Sequence, residues 1–320
     1  MSGWVVDWTF HAGSPAYVGV RWALFVGLLG VSGAVWFRLL VLPRTRDNSS
    51  GAGAALAGPA ARSASALGLA MAALVLVAAV ARLYAQSYSL FGPDDAMAPE
   101  SWSAVLGTRW GRGWWIQVTA AGTALVGFVA ARGDTAAGWT LAAAGTLALG
   151  FTPALSGHAL TAPGPTSLSV LADGVHVLAA GGWLGSLMTL AVVGIPAALR
   201  LEEGRRTPAV VALVRAFSPT ALAFAGVLVG TGIFSAWLQI GSVEALWATT
   251  YGRTLLVKVA VLSVLFAVGA YNFLRVRPVL GDGAATGRLR RSATLELLVA
   301  VAVLLVTAVL VATPTPRDLS

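Results

Sequence analysis

The chain has no cysteine, three histidines and four methionines in 320 residues, and charged side chains make up 11% of it. Without cysteine there is neither a disulfide nor a thiolate metal site, so any metal falls to His, Met, Asp, Glu or backbone oxygen. Soluble domains carry about 25% charged residues. The shortfall excludes a water-soluble fold that hides its apolar side chains in one core. Met1 to Pro15 contains Asp7 and no Lys or Arg. It lacks the positive start of a cleavable signal peptide, and the first apolar helix is expected to stay in the mature protein. Gly107–Gly113 lacks the Lys-Ser/Thr ending of a phosphate loop, and neither a catalytic triad nor paired carboxylates in a cleft stand out. The chain therefore reads as a non-enzyme.

What is there instead is apolar: 57% of the residues are hydrophobic. A helix needs about 20 apolar residues to cross a hydrocarbon layer of about 30 Å. Runs of that length, punctuated by Pro, Gly and charge, predict eight spans: 16–42, 64–86, 114–131, 136–156, 168–195, 211–239, 254–274 and 292–312. The expected fold class is an all-α polytopic membrane protein whose main partner is the lipid bilayer. The net charge of +8 does not point to nucleic acid, because the arginines cluster between apolar runs, where they orient helices. Arg38, Arg44, Arg46, Arg62, Arg132, Arg200, Arg205, Arg206, Arg215, Arg275, Arg277, Arg288, Arg290 and Arg291 fall on one side. That side is assigned to the cytoplasm, which leaves both termini outside.

The second half resembles the first. Thr108-Arg109-Trp110-Gly111-Arg112 aligns with Thr249-Thr250-Tyr251-Gly252-Arg253, Tyr84-Ala85-Gln86 with Trp237-Leu238-Gln239, Thr152-Pro153 with Thr313-Pro314, and Pro43 with Pro196. Two tandem four-helix repeats, residues 1–160 and 161–320, are expected. Four spans return the chain to its starting side, so the repeats share one orientation and an axis along the membrane normal.

The three histidines, His11, His158 and His176, all map to the outer half of this layout. His158 ends the fourth span, and His176 lies about two turns into the fifth. The Pro163-Gly164-Pro165 loop between them is short enough to set both on neighbouring helix ends. Asp173 shares a helix face with His176, and Trp183 lies seven residues further along that face. Imidazole suits copper, zinc, iron and nickel, and a carboxylate beside a histidine is a familiar supporting arrangement. His158 and His176 are thus the candidate metal ligands, Asp173 and Trp183 the supporting or entry residues, and His11 a further possibility. A structural reading stands beside this one, in which His158 caps a helix and His176 hydrogen-bonds across the bundle. Methionine is too sparse to line a pore. The tryptophans near the outer boundary read as an aromatic belt, and Arg253 and Lys258 as snorkelling side chains.

Asp173-Gly-Val-His176-Val-Leu-Ala-Ala-Gly-Gly-Trp183-Leu-Gly185 resembles the helix that opens the copper resistance protein D (CopD) domain. Phe217-Ser218 through Thr231-Gly232-Ile233, Thr250 to Lys258 and Ala270-Tyr271-Asn272-Phe273 are similar to its later helices, and Ser156-Gly157-His158-Ala159 to the Gly-His that precedes it. The CopD-like stretch covers about 165–280. The resemblance implies a cytoplasmic (inner) membrane protein of copper homeostasis. It also implies copper as the ion handled and a periplasmic carrier of the CopC type as partner, here a separate chain. A b-type haem protein or respiratory-oxidase assembly factor, with the two histidines as axial ligands of haem b, is the alternative, and a scaffold without metal is a third.

Overall fold

The computed structural model describes residues 10, 14–46, 51–156, 166–276 and 283–316, and among them there is no strand. The helices are α1 (Pro15–Thr45), α2 (Ala52–Phe91), α3 (Arg109–Gly133), α4 (Ala136–Phe151), α5 (Thr166–Leu199), α6 (Glu203–Ile240), α7 (Thr250–Arg275) and α8 (Gly283–Ala312). Seven of them are long and apolar enough to cross a membrane, α8 through Thr294–Ala312. The shorter α4, with 16 residues, reaches about 24 Å at 1.5 Å per residue. A 3₁₀ turn at Ala154–Ser156 follows it.

Local chemistry sets the helix ends. Ser14 caps α1 by accepting from the Tyr17 N–H at 3.2 Å, with Pro15 in the first turn. Thr108 caps α3 by accepting from Gly111 N at 3.1 Å, and Thr249 caps α7 by accepting from Gly252 N at 3.0 Å. Each of these threonines also donates to a carbonyl of the preceding short helix, at 2.6 Å in both cases. α2 and α6 end on Gly92 and Gly241, whose φ angles of 83° and 76° only glycine adopts freely.

Proline is weaker punctuation than the sequence suggests. The spans expected at 64–86 and 211–239 extend back to Ala52 and Glu203, with Pro59, Pro208 and Pro219 inside the helices. Proline is tolerated in membrane helices because neighbouring groups re-satisfy the freed backbone.

α1 is the central element, packed against α2, α4, α5 and α8. Its inner face, with Leu24, Leu28, Val31, Ala34 and Phe37, anchors the main apolar core. α1 and α5 cross at Gly33 and Gly185. A Cβ on Gly33 would lie 2.1 Å from the Gly185 carbonyl carbon and oxygen, and a Cβ on Gly185 would lie 2.1 Å from the Leu29 oxygen. Both helices also contain a π turn followed by a proline: Phe37–Val41 before Pro43, and Leu190–Gly194 before Pro196. On the side assigned to the cytoplasm, Arg38 Nε donates to Asp134 Oδ1 at 3.1 Å, tying α1 to the α3–α4 turn. Trp139 Nε1 donates to the same oxygen at 3.1 Å.

Candidate functional site

α5 carries Asp173, His176 and Trp183. A π turn at Gly181–Gly185 interrupts the helix at Trp183, and such turns recur at functional sites because the extra residue re-aims the side chains it carries. His176 is half-buried. Its Nδ1 lies 3.0 Å from Thr231 Oγ1 on α6. Thr231 spends its one hydroxyl proton within its own helix, on the Val227 carbonyl at 2.8 Å with Leu228 at 3.2 Å. Its oxygen is therefore left to accept from the ring, which assigns the proton to Nδ1. The Nε2 lone pair is then the one available to a metal. Gly232 leaves room beside the ring, since a Cβ there would meet His176 Cε1 at 3.3 Å.

The neighbours add charge. Lys258 of α7, half-buried, lies within electrostatic reach of both His176 and Asp173. Three helices thus bring an imidazole, a carboxylate, an ammonium and a hydroxyl together inside the second half of the bundle. Deeper along α5, Trp183 is 7% exposed and packs on Phe266 of α7 with 4.7 Å between ring centroids.

His158 and His11 lie outside the described residues, so the juxtaposition of His158 with His176 does too. Among the described residues no three of His, Asp and Glu gather to hold a metal. His176 offers one nitrogen donor with Asp173 on the same face. Thr231 and Lys258 carry no mark as site residues in the sequence reading, which sends Lys258 toward the interface. One signal for Lys258 was in the sequence. Counting from the paired caps Thr108 and Thr249, it stands where the first half has Gln117. Gln117, 1% exposed, is the centre of a buried polar network, accepting from Arg82 Nη1 at 2.7 Å and donating to Thr152 Oγ1 at 3.2 Å.

Residues 11–168 match the family model for the copper resistance protein D-like N-terminal domain, and residues 211–310 match that for copper resistance protein D. Asp173, His176 and Trp183 fall between the two matches. The copper transport protein CutJ of Bacillus subtilis (strain 168) is 30% identical over 167 residues, 52% of this chain. The chain spans only 29% of that relative's length. No solved structure matches. The haem alternative gains no support from these matches. With one model of the same family on each half, this membrane protein belongs to the copper resistance protein D family.

Proposed function

We propose that this protein takes up copper ions at the outer face of the cytoplasmic membrane and moves or hands them on, without catalysing a reaction of its own. His176 is a copper ligand in this reading and His158 its partner, with Asp173 orienting and balancing charge and Trp183 beneath. The observation that carries the reading is the His176–Thr231 hydrogen bond at 3.0 Å. It commits Nδ1 and leaves Nε2 as a donor on a helix whose sequence resembles that of a copper family. Lys258 and Asp173 offset one another, so an arriving cation meets little net charge. The relative CutJ is a copper transport protein by name, which favours movement of the ion over storage. A separate periplasmic carrier of the CopC type is the proposed donor or acceptor.

The proposed layout is eight spans in two tandem repeats with both termini outside. Its support is the matching π turn before proline in α1 and α5, the matching threonine caps of α3 and α7, and the glycine stops of α2 and α6. Cysteine labelling in intact cells should find 200–210 protected and Pro93 to Trp102 reactive. Labelling of 200–210 from outside would invert the layout and put His176 on the wrong side.

The direct test is metal and haem quantification on the detergent-purified protein and on the double variant His158→Ala/His176→Ala. Copper should copurify with the wild type and fall to background in the variant, with no Soret band in either. Full copper retention by the double variant would refute the site, and a Soret band lost in the variant would restore the haem alternative.

A further inference from the structure

Beneath the His176 cluster lies a second ionisable group that the copper reading leaves without a task. Glu296 on α8 is 7% exposed, and Asn272 Nδ2 at the end of α7 donates to its Oε1. Both side chains line the inner end of a cavity of about 320 Å³, whose other walls are apolar apart from Ser218. Trp183 and Phe266 line its outer end. Asn272 follows Lys258 by about 21 Å along α7, at 1.5 Å per residue. The second half of the bundle therefore has two polar levels, His176 with Lys258 and Asp173 outside, Glu296 with Asn272 inside. The Trp183–Phe266 stack and an apolar chamber separate them.

Ionisable side chains at membrane depth are costly and mark ion pathways and proton relays. A carboxylate and an amide are hard oxygen donors of the kind that suits Mg²⁺, Ca²⁺ or Mn²⁺. Among the described residues no other acid or base lines this cavity. Among the described charged groups on the helices packed around it, Arg215 of α6 and Arg275 of α7 are exposed, and Arg44 of α1 donates to Thr220 at 2.6 Å. Arg288, Arg290 and Arg291 precede Glu296 on its own helix. With Oε1 held by Asn272, Oε2 is left for a proton.

We propose that Glu296 is a proton-exchange site that couples copper movement through the second half of the bundle to a proton. In each cycle one O–H bond forms at Oε2 with a proton drawn from the cytoplasmic side and later breaks to release the same proton. No electrons move. This rests on the copper reading above, and it adds a coupling ion and the residue that carries it.

The test uses the full chain in proteoliposomes with a trapped pH-sensitive dye, alongside equilibrium copper binding to the same preparations in detergent. Adding copper outside wild-type vesicles should change the internal pH. Glu296→Gln should bind copper as the wild type does yet give no more proton movement than empty liposomes, and Glu296→Asp should restore part of it. His176→Ala should lose binding and proton movement together. Proton movement retained by Glu296→Gln would overturn the proposal, and so would a wild type that binds copper without moving protons. In that second outcome the His176 site would still stand. Loss of binding in both Glu296 variants would make the residue a packing element and also refute the proposal.

Discussion

Replacing Thr231 by Val should weaken copper binding by about 10- to 100-fold, the usual cost of removing a group that orients a metal-binding histidine. Val keeps the shape and removes the oxygen that accepts from His176 Nδ1 at 3.0 Å. The ring then keeps only its hydrogen bond to the Leu228 backbone, and the hold on its tautomer loosens. Thr231→Ser should retain most of the affinity, because the acceptor survives. His176→Ala should do more damage than either, and Asp173→Asn less than His176→Ala. Equilibrium copper titration ranks the variants. Nitrogen NMR of labelled histidine reads the tautomer directly, a change that a merely structural role for Thr231 would not produce. Equal affinities for Thr231→Val and the wild type would show that the hydroxyl does not position the ring.

A second large effect is expected at the α1–α5 crossing. Gly185→Ala adds one methyl group to a position where the Leu29 oxygen lies 2.1 Å from the new atom. That atom meets backbone, so no side chain can swing away and the helices must part. Overpacking of well-packed sites costs about 1–3 kcal/mol, and a backbone clash belongs at the upper end. Gly33→Ala should behave alike, since its methyl would meet Gly185 itself. Gly226, with nothing within 4 Å of its Cβ position, is the control: Gly226→Ala should melt with the wild type. Thermal unfolding in detergent separates the three. A Gly185→Ala protein as stable as the control would mean that the crossing is looser than described.

The helical plan was legible because span length and cap chemistry are local. An apolar run of membrane length is visible without knowledge of neighbours, and the paired segments 108–112 and 249–253 lie at the starts of α3 and α7, which begin at Arg109 and Thr250, a turn or so before the spans expected at 114 and 254. Proline carries less information in a membrane than in water, so α2 and α6 are longer at their starts than their punctuation suggests. The site was legible in depth and not in direction. Residue spacing sets His176 above Trp183 on one helix. It does not reveal that Thr231 of α6 and Lys258 of α7 turn toward His176, because the rotation of one helix about its axis against another depends on packing. Glu296 is hidden for the same reason. The span expected at 292–312 contains it, but spacing along one helix does not show that Asn272 of α7 lies against it.

α7 itself sits in an unusual setting. It packs on α8 and on the short helix before it, and only 6% of the residues in its most apolar stretch are fully buried, against 67% in that of α1. About half of its residues are exposed along the helix, and its tie to α5 runs through the Trp183–Phe266 stack. Its height in the membrane therefore responds to hydrophobic matching, in which a span and the surrounding hydrocarbon adjust to a common thickness at a cost of fractions of a kcal/mol per Å, within what its packing on neighbouring helices allows. His176 belongs to α5, which α1 holds from within, whereas Lys258 rides on α7. Bilayer thickness thus acts on the separation of the two, and vesicles of shorter or longer acyl chains become a means of tuning the electrostatics beside the imidazole without altering a residue.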